Sequence, residues 1–220
     1  MPVVSADCRA VVTQLPPGAV LRVDDLPWEE YERLLADLGP GYAVRIFYDR
    51  GRMEIMAPTP AHERTKNAVH RLVMAISDEL DIDIESIGST TLRAEMTARG
   101  AEPDDSFYVQ NASRVIGRAN LDLAHDPPPD LVVEIDRASA SLDKLPIYAA
   151  LNVGEVWRVV GRDVRVYLLA GDRYDEVSSS RAFAFLSATA LSTFLAQALR
   201  EGARTAASDF RRWVREHRAK

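Results

Sequence analysis

An α/β domain with a mixed central sheet flanked by helices is predicted by three features of this 220-residue chain. Strand-like runs interleave with helix-like ones through its middle, the order that builds a single α/β layer structure. Val69, Leu72, Val73, Ile76 and Leu80 keep the three-four spacing of one buried helical stripe. Leu131-Val-Val-Glu-Ile135 is apolar on both faces, as a strand covered on each side is. The expected organisation is an irregular segment over 1–26, the domain over 27–200 and a C-terminal amphipathic helix over 201–220.

Taken in order, Pro16-Pro17-Gly18 and weak periodicity mark the lead-in as irregular. Pro27 suits the first turn of a helix that runs to Leu38, its early acids suit the dipole, and Gly39-Pro40 stops it. Tyr42–Tyr48 and Arg52–Met56 alternate around Asp49-Arg50-Gly51, which predicts a hairpin. Ala57-Pro-Thr-Pro-Ala61 then leads into the long helix His62–Leu80. Strands are expected over Ile84–Leu92, Ser106–Val109 and Leu131–Ile135, and a short helix over Leu145–Leu151. Glu155–Val160, Val164–Leu169 and a stretch around Tyr174 read as further strands. Helices over Leu191–Arg200 and Ala206–His217, parted at Gly202, close the chain. The first helix, the hairpin and the tail helices read as decorations of one core.

Composition narrows the function. The chain is 47% hydrophobic and 27% charged, ordinary for a globular protein. No run approaches the roughly 20 apolar residues of a membrane span, and the N-terminus lacks the basic and apolar blocks of a signal peptide. A single cysteine, Cys8, excludes an internal disulfide. These features point to the cytoplasm. A net charge of −6 and a pI near 5.3 argue against a broad basic face that grips nucleic acid. Only the tail, Arg211–Lys220, is locally basic, and its apolar side, with Phe210, Trp213 and Val214, is expected against the domain or a second subunit.

Three residues stand where packing alone would not put them. Glu134 interrupts the apolar strand and needs a cation, a donor or a metal; Arg93 or Arg158 would satisfy it as a salt bridge. Asp104 follows Pro103 at the start of a strand, a place where an ordinary turn also puts aspartate. Asp105 beside it points to the opposite face by period two. Lys144 opens a helix in phase with Ile147 and Leu151, although a helix N-terminus does not favour a cation. Two carboxylates can hold Mg²⁺, or Mn²⁺ in its place. A lysine beside the activated water suits an anionic phosphodiester better than the oxocarbenium centre of a glycosidase. His62 and Glu63 open the long helix and offer a fourth element, with an ordinary helix-entry pair as the alternative.

These pieces resemble the Uma-two family of restriction-endonuclease-like proteins, within the PD-(D/E)XK nuclease superfamily. The likeness runs from about residue 42 to about 195. It is carried by Met53-Glu-Ile-Met-Ala-Pro58 with His62-Glu63, by Glu102-Pro-Asp104, by Pro129-Asp-Leu-Val-Val-Glu134, by Lys144-Leu-Pro-Ile-Tyr148 and by Val153-Gly-Glu-Val-Trp157. The resemblance implies a restriction-endonuclease-like core and a divalent-metal-dependent endonuclease that hydrolyses DNA. Asp104 would be the proline-linked aspartate, Glu134 the strand acid and Glu63 the helix acid, with His62 its neighbour. Position 136 is Asp where the superfamily pattern has lysine, so the amine would have moved to Lys144. Asp136 would then be a third metal ligand or a mark of lost catalysis, which keeps a non-cleaving binding or regulatory module as the alternative. DNA is the expected partner, and the amphipathic tail together with the frequency of two-fold assemblies leads us to expect a homodimer.

Overall fold

The computed structural model describes residues 6–39, 41–136 and 142–218; Pro40 and the last two residues of the basic tail lie outside them. The N-terminal segment corrects the expectation of an irregular lead-in. It forms helix α1 (Ala6–Thr13) and strand β1 (Val20–Val23). Pro16-Pro17-Gly18 marks only the link between them. The strand owes its existence to a partner, since Val20–Val23 lies antiparallel against Met56–Met53 far downstream.

Helix α2 (Trp28–Leu38) follows as its acidic first turn, Glu29 and Glu30, anticipates. Its buried Tyr31, Leu34, Leu35 and Leu38 face the hairpin β2 (Arg45–Asp49) and β3 (Arg52–Met56). Tyr31 stacks on Tyr48 with ring centroids 4.7 Å apart. Arg50 and Gly51 both take positive φ, 48° and 94°, as a two-residue hairpin turn of matching twist requires. The hairpin is no decoration. It is the centre of a five-stranded antiparallel sheet ordered β1-β3-β2-β6-β5, completed by β5 (Leu92–Ala94) and β6 (Arg99–Ala101).

Helix α3 (Pro60–Leu80) starts two residues before the expected His62, because Thr59 caps it and Pro60 sits in its first turn. The second sheet, ordered β11-β10-β9-β8-β7-β4, is the mixed one. It contains β4 (Glu85–Ser86), β7 (Asp105–Tyr108), β8 (Leu131–Asp136), β9 (Glu155–Val160), β10 (Asp163–Ala170) and β11 (Arg173–Val177). The strand expected over Ile84–Leu92 is therefore two strands, β4 and β5, in different sheets; the turn at Gly88, with φ of 58°, parts them. A one-turn helix, α4 (Ala112–Val115), follows β7. Strands β8 and β9 are parallel, joined by the crossover helix α5 (Leu145–Ala150).

One face of the mixed sheet packs on α3 and on the tail helices α6 (Ala188–Glu201) and α7 (Ala203–His217). Phe210 and Val214 of α7 are fully buried in that core, so the amphipathic side of the tail is covered by its own chain. The other face meets the first sheet: Phe47, Leu92 and Ala101 pack with Val132, Val156, the α5 residues Ile147 and Tyr148, and Leu151 just after them. The candidate residues gather at one margin of this junction. Among the described residues no helix is long and apolar enough to cross a membrane.

Candidate active site

Strand register brings the two leading acids level. Asp105 pairs with Val133 and Ser106 with Val132, which sets Asp104, one residue earlier, beside Glu134. Both are buried, 0% and 1% exposed. Asp104 Oδ2 accepts from the backbone N–H of Ile135 at 2.7 Å and lies 3.1 Å from His62 Nε2. Its Oδ1 is buried without a hydrogen-bond partner, 3.8 Å from Arg45 Nε. Burial pushes this carboxyl up, but the hydrogen bond from His62, the Lys144 charge and the Ile135 N–H together bring it below the usual range.

Glu134 takes neither of the arginines that sequence offered it. Arg93 pairs with Glu32 and Arg158 with Asp136. Lys144 donates to Glu134 Oε2 and the Tyr148 hydroxyl donates to Oε1. Burial pushes Glu134 up to about 7, against the lowering pull of Lys144 and with help from the neighbouring Asp104 charge. Lys144 is 9% exposed. Burial lowers its ammonium, yet the charges of Glu134, Asp104 and Asp136 outweigh this and raise it above the ordinary amine range. It also lies 4.2 Å from the centroid of the Phe47 ring. The three acid and amine groups thus converge across β7, β8 and α5.

Asp136 sits at the rim of this cluster. Arg158 Nε is 2.6 Å from its Oδ2, and Lys144 Nζ is 3.9 Å from its Oδ1. Glu63 is more open, its side chain 39% exposed, and approaches the cluster through others: Arg45 at 3.6 Å and His62 Nδ1 at 3.7 Å. Of the helix-entry pair, His62 is the one in direct contact with Asp104. Asp105 does point the other way, to His70 at 2.8 Å.

Two residues escaped sequence reading. Arg45 is 8% exposed at the start of β2, a strand end where a charged residue draws no attention in sequence. Tyr148 reads by its spacing as a core aromatic, although it follows Lys144 by four residues and so shares its helical face.

The donor set suits a hard cation. Asp104 Oδ1 is an unsatisfied buried carboxylate oxygen, and Glu134 is level with it. Among the described residues no three His, Cys, Asp or Glu side chains form a ready-made cage. Mg²⁺ is commonly held by one or two carboxylates with waters completing its shell, and a pair such as Asp104 and Glu134 fits that pattern.

Comparison with known proteins bears on this cluster. A family model, Uma2, described as "Putative restriction endonuclease", matches residues 28–200. The chain belongs to the Uma2 family. Every candidate residue, from His62 to Lys144, falls inside the Uma2 match. The chain is also similar to a solved structure from Anabaena variabilis described as a "putative nuclease belonging to DUF820". That likeness has 17% identity and a TM-score of 0.49, over 77% of this chain and 99% of the other. No curated protein matches the chain.

Proposed function

We propose that this Uma2 protein is a divalent-metal-dependent endonuclease that hydrolyses DNA phosphodiester bonds. The observation that carries the reading is the convergence of Asp104, Glu134 and Lys144, with Asp104 Oδ1 buried and lacking a hydrogen-bond partner. Asp104 and Glu134 would hold Mg²⁺ or Mn²⁺. When bound, the ion supplies a polarised phosphoryl oxygen and an acidified water.

The protein's own groups do the rest. His62 and the Ile135 N–H fix the Asp104 carboxylate from one side, which leaves Oδ1 free to ligate. Tyr148 and Lys144 fix Glu134. The Lys144 ammonium, kept charged by three acids, is positioned to stabilise negative charge developing on a phosphate. Glu63 and Arg45 steady His62 and the Oδ1 side of Asp104. Asp136, held by Arg158, supports the lysine's charge in this account and takes no direct part in ligation.

Calorimetric titration with Mg²⁺ or Mn²⁺, with Glu134→Ala as control, tests the metal site; equal binding by both proteins removes the mechanism. Nicking of plasmid DNA that needs the ion and disappears in Lys144→Ala tests the reaction. One observation favours a second reading, a module that binds without cutting. Both oxygens of Glu134 already have donors, and a cation must compete with them. Metal-free DNA binding with no cleavage under any divalent ion would select it. A cytoplasmic homodimer stays within the proposal, and light scattering of the purified chain decides its assembly.

A further inference from the structure

A cavity of about 660 Å³ opens beside the acidic cluster, between α2, the start of β2 and the segment before β5. Arg45 belongs to both places. It lines the cavity, and its Nε, buried and without a hydrogen-bond partner, lies 3.8 Å from Asp104 Oδ1. Tyr42 forms part of the wall, its hydroxyl donating to Glu102, so the ring is pinned in place. Glu102 is 2% exposed and also accepts from Thr91 Oγ1 and from the Ile46 N–H, both at 2.9 Å. Arg93 stands at the rim with its side chain 46% exposed, tied to Glu32 at 3.3 Å.

We propose that this cavity receives one unstacked nucleotide of single-stranded DNA, the one flanking the bond to be cut. The inference rests on the phosphodiesterase reading and names its substrate more narrowly. Four features fit a nucleotide. A fixed aromatic ring offers a stacking face, which any base accepts. Arg93, half-exposed at the rim beside Glu32, supplies a guanidinium for a flanking phosphate. The Ser89 and Thr90 hydroxyls on the cavity wall supply polar partners for base edges. The volume exceeds that of a base, whereas a paired base would first have to be extruded from its duplex.

The charge of the chain points the same way. With a net charge of −6, the protein lacks the excess of cations that tracks a long duplex through its phosphates. Capture of a single exposed nucleotide beside Asp104 needs only local charge. Selectivity for frayed, looped or single-stranded DNA follows.

Ala36 and Ser89 line the cavity away from the acidic cluster, and Ala36 is exposed on α2. Ala36→Trp and Ser89→Trp would each put an indole into it and take up part of its volume. Fluorescence anisotropy in EDTA measures binding without cleavage for three probes: a short single-stranded oligodeoxynucleotide, a strand of the same length that is abasic throughout, and the duplex of the first. The expected result is tightest binding of the intact single strand, with a loss of about tenfold or more in both filled variants. The abasic strand and the duplex should bind weakly and respond little to filling. Thermal melts confirm that both variants fold. Equal affinity for intact and abasic strands, or unchanged affinity in both folded variants, overturns the proposal. Should the cavity fail while Mg²⁺-dependent nicking persists, the nuclease reading stands alone. Should the strand bind as expected while no ion supports cleavage, the nuclease reading fails and the cavity stands.

Discussion

The backbone N–H of Ile135 donates to Asp104 Oδ2 at 2.7 Å, which ties the turn after Pro103 to the residue that follows Glu134. This bond extends the β7–β8 pairing by means of a side chain where the ladder itself has ended. It holds two like charges side by side, an arrangement that favours a cation between or beside them. Both partners are buried, so the bond is structural as well as chemical.

Asp104→Ala is expected to leave the Ile135 N–H and His62 Nε2 buried without their acceptor. Each such loss costs about 1–3 kcal/mol. Urea denaturation should show the full effect, while Asp104→Asn, which keeps the shape and one acceptor oxygen, should cost less and still abolish metal binding.

Lys144→Met should destabilise by roughly 3–5 kcal/mol, because it strands the buried Glu134 beside Asp104. The double variant Lys144→Met/Glu134→Gln removes the stranded charge and should recover much of that loss. Equal destabilisation in single and double variants, measured by chemical denaturation, would mean that packing around Phe47 and not charge explains the effect.

Metal affinity should rise with pH through about 7, since Glu134 is protonated below that point and ionised above it. Stability carries the opposite slope from this group. The folded protein holds a proton that the unfolded chain releases from about 4.5 upward, so the Glu134 contribution declines between about 4.5 and 7. Tyr148→Phe removes a donor that favours the ionised form and should shift the metal-binding profile to higher pH. A profile unmoved by the substitution would detach Tyr148 from the site.

Gly100→Ala should disrupt the contact between α2 and the first sheet. A Cβ at Gly100 would collide with the Tyr31 hydroxyl oxygen and fall 2.8 Å from Cζ. Overpacking of this kind costs about 1–3 kcal/mol. The pair Gly100→Ala/Tyr31→Phe should relieve part of it, as judged by thermal melts.

Local signals in the chain located most elements with periodic or capped sequences. The stripe from Val69 to Leu80 requires α3, Arg50-Gly51 requires the hairpin turn, and the apolar run from Leu131 requires a covered strand. Signals failed where an element exists only through its partner. Strand β1 has four residues and pairs with the edge of β3; β4 and β5 have two and three residues and pair into different sheets. No periodicity can be read from so few positions.

The site divides along the same line. Asp104, Glu134 and Lys144 were legible because burial makes an acid in a core strand, or a cation at a helix start, demand a partner. Their partners were not legible. That Glu134 meets Lys144 and Tyr148 and leaves both arginines to others is decided by the crossover of α5 over the second sheet. That Arg45 reaches Asp104, more than fifty residues along the chain, is decided by the packing of the two sheets. Local chemistry announces which groups cannot stand alone; only long-range packing chooses what satisfies them.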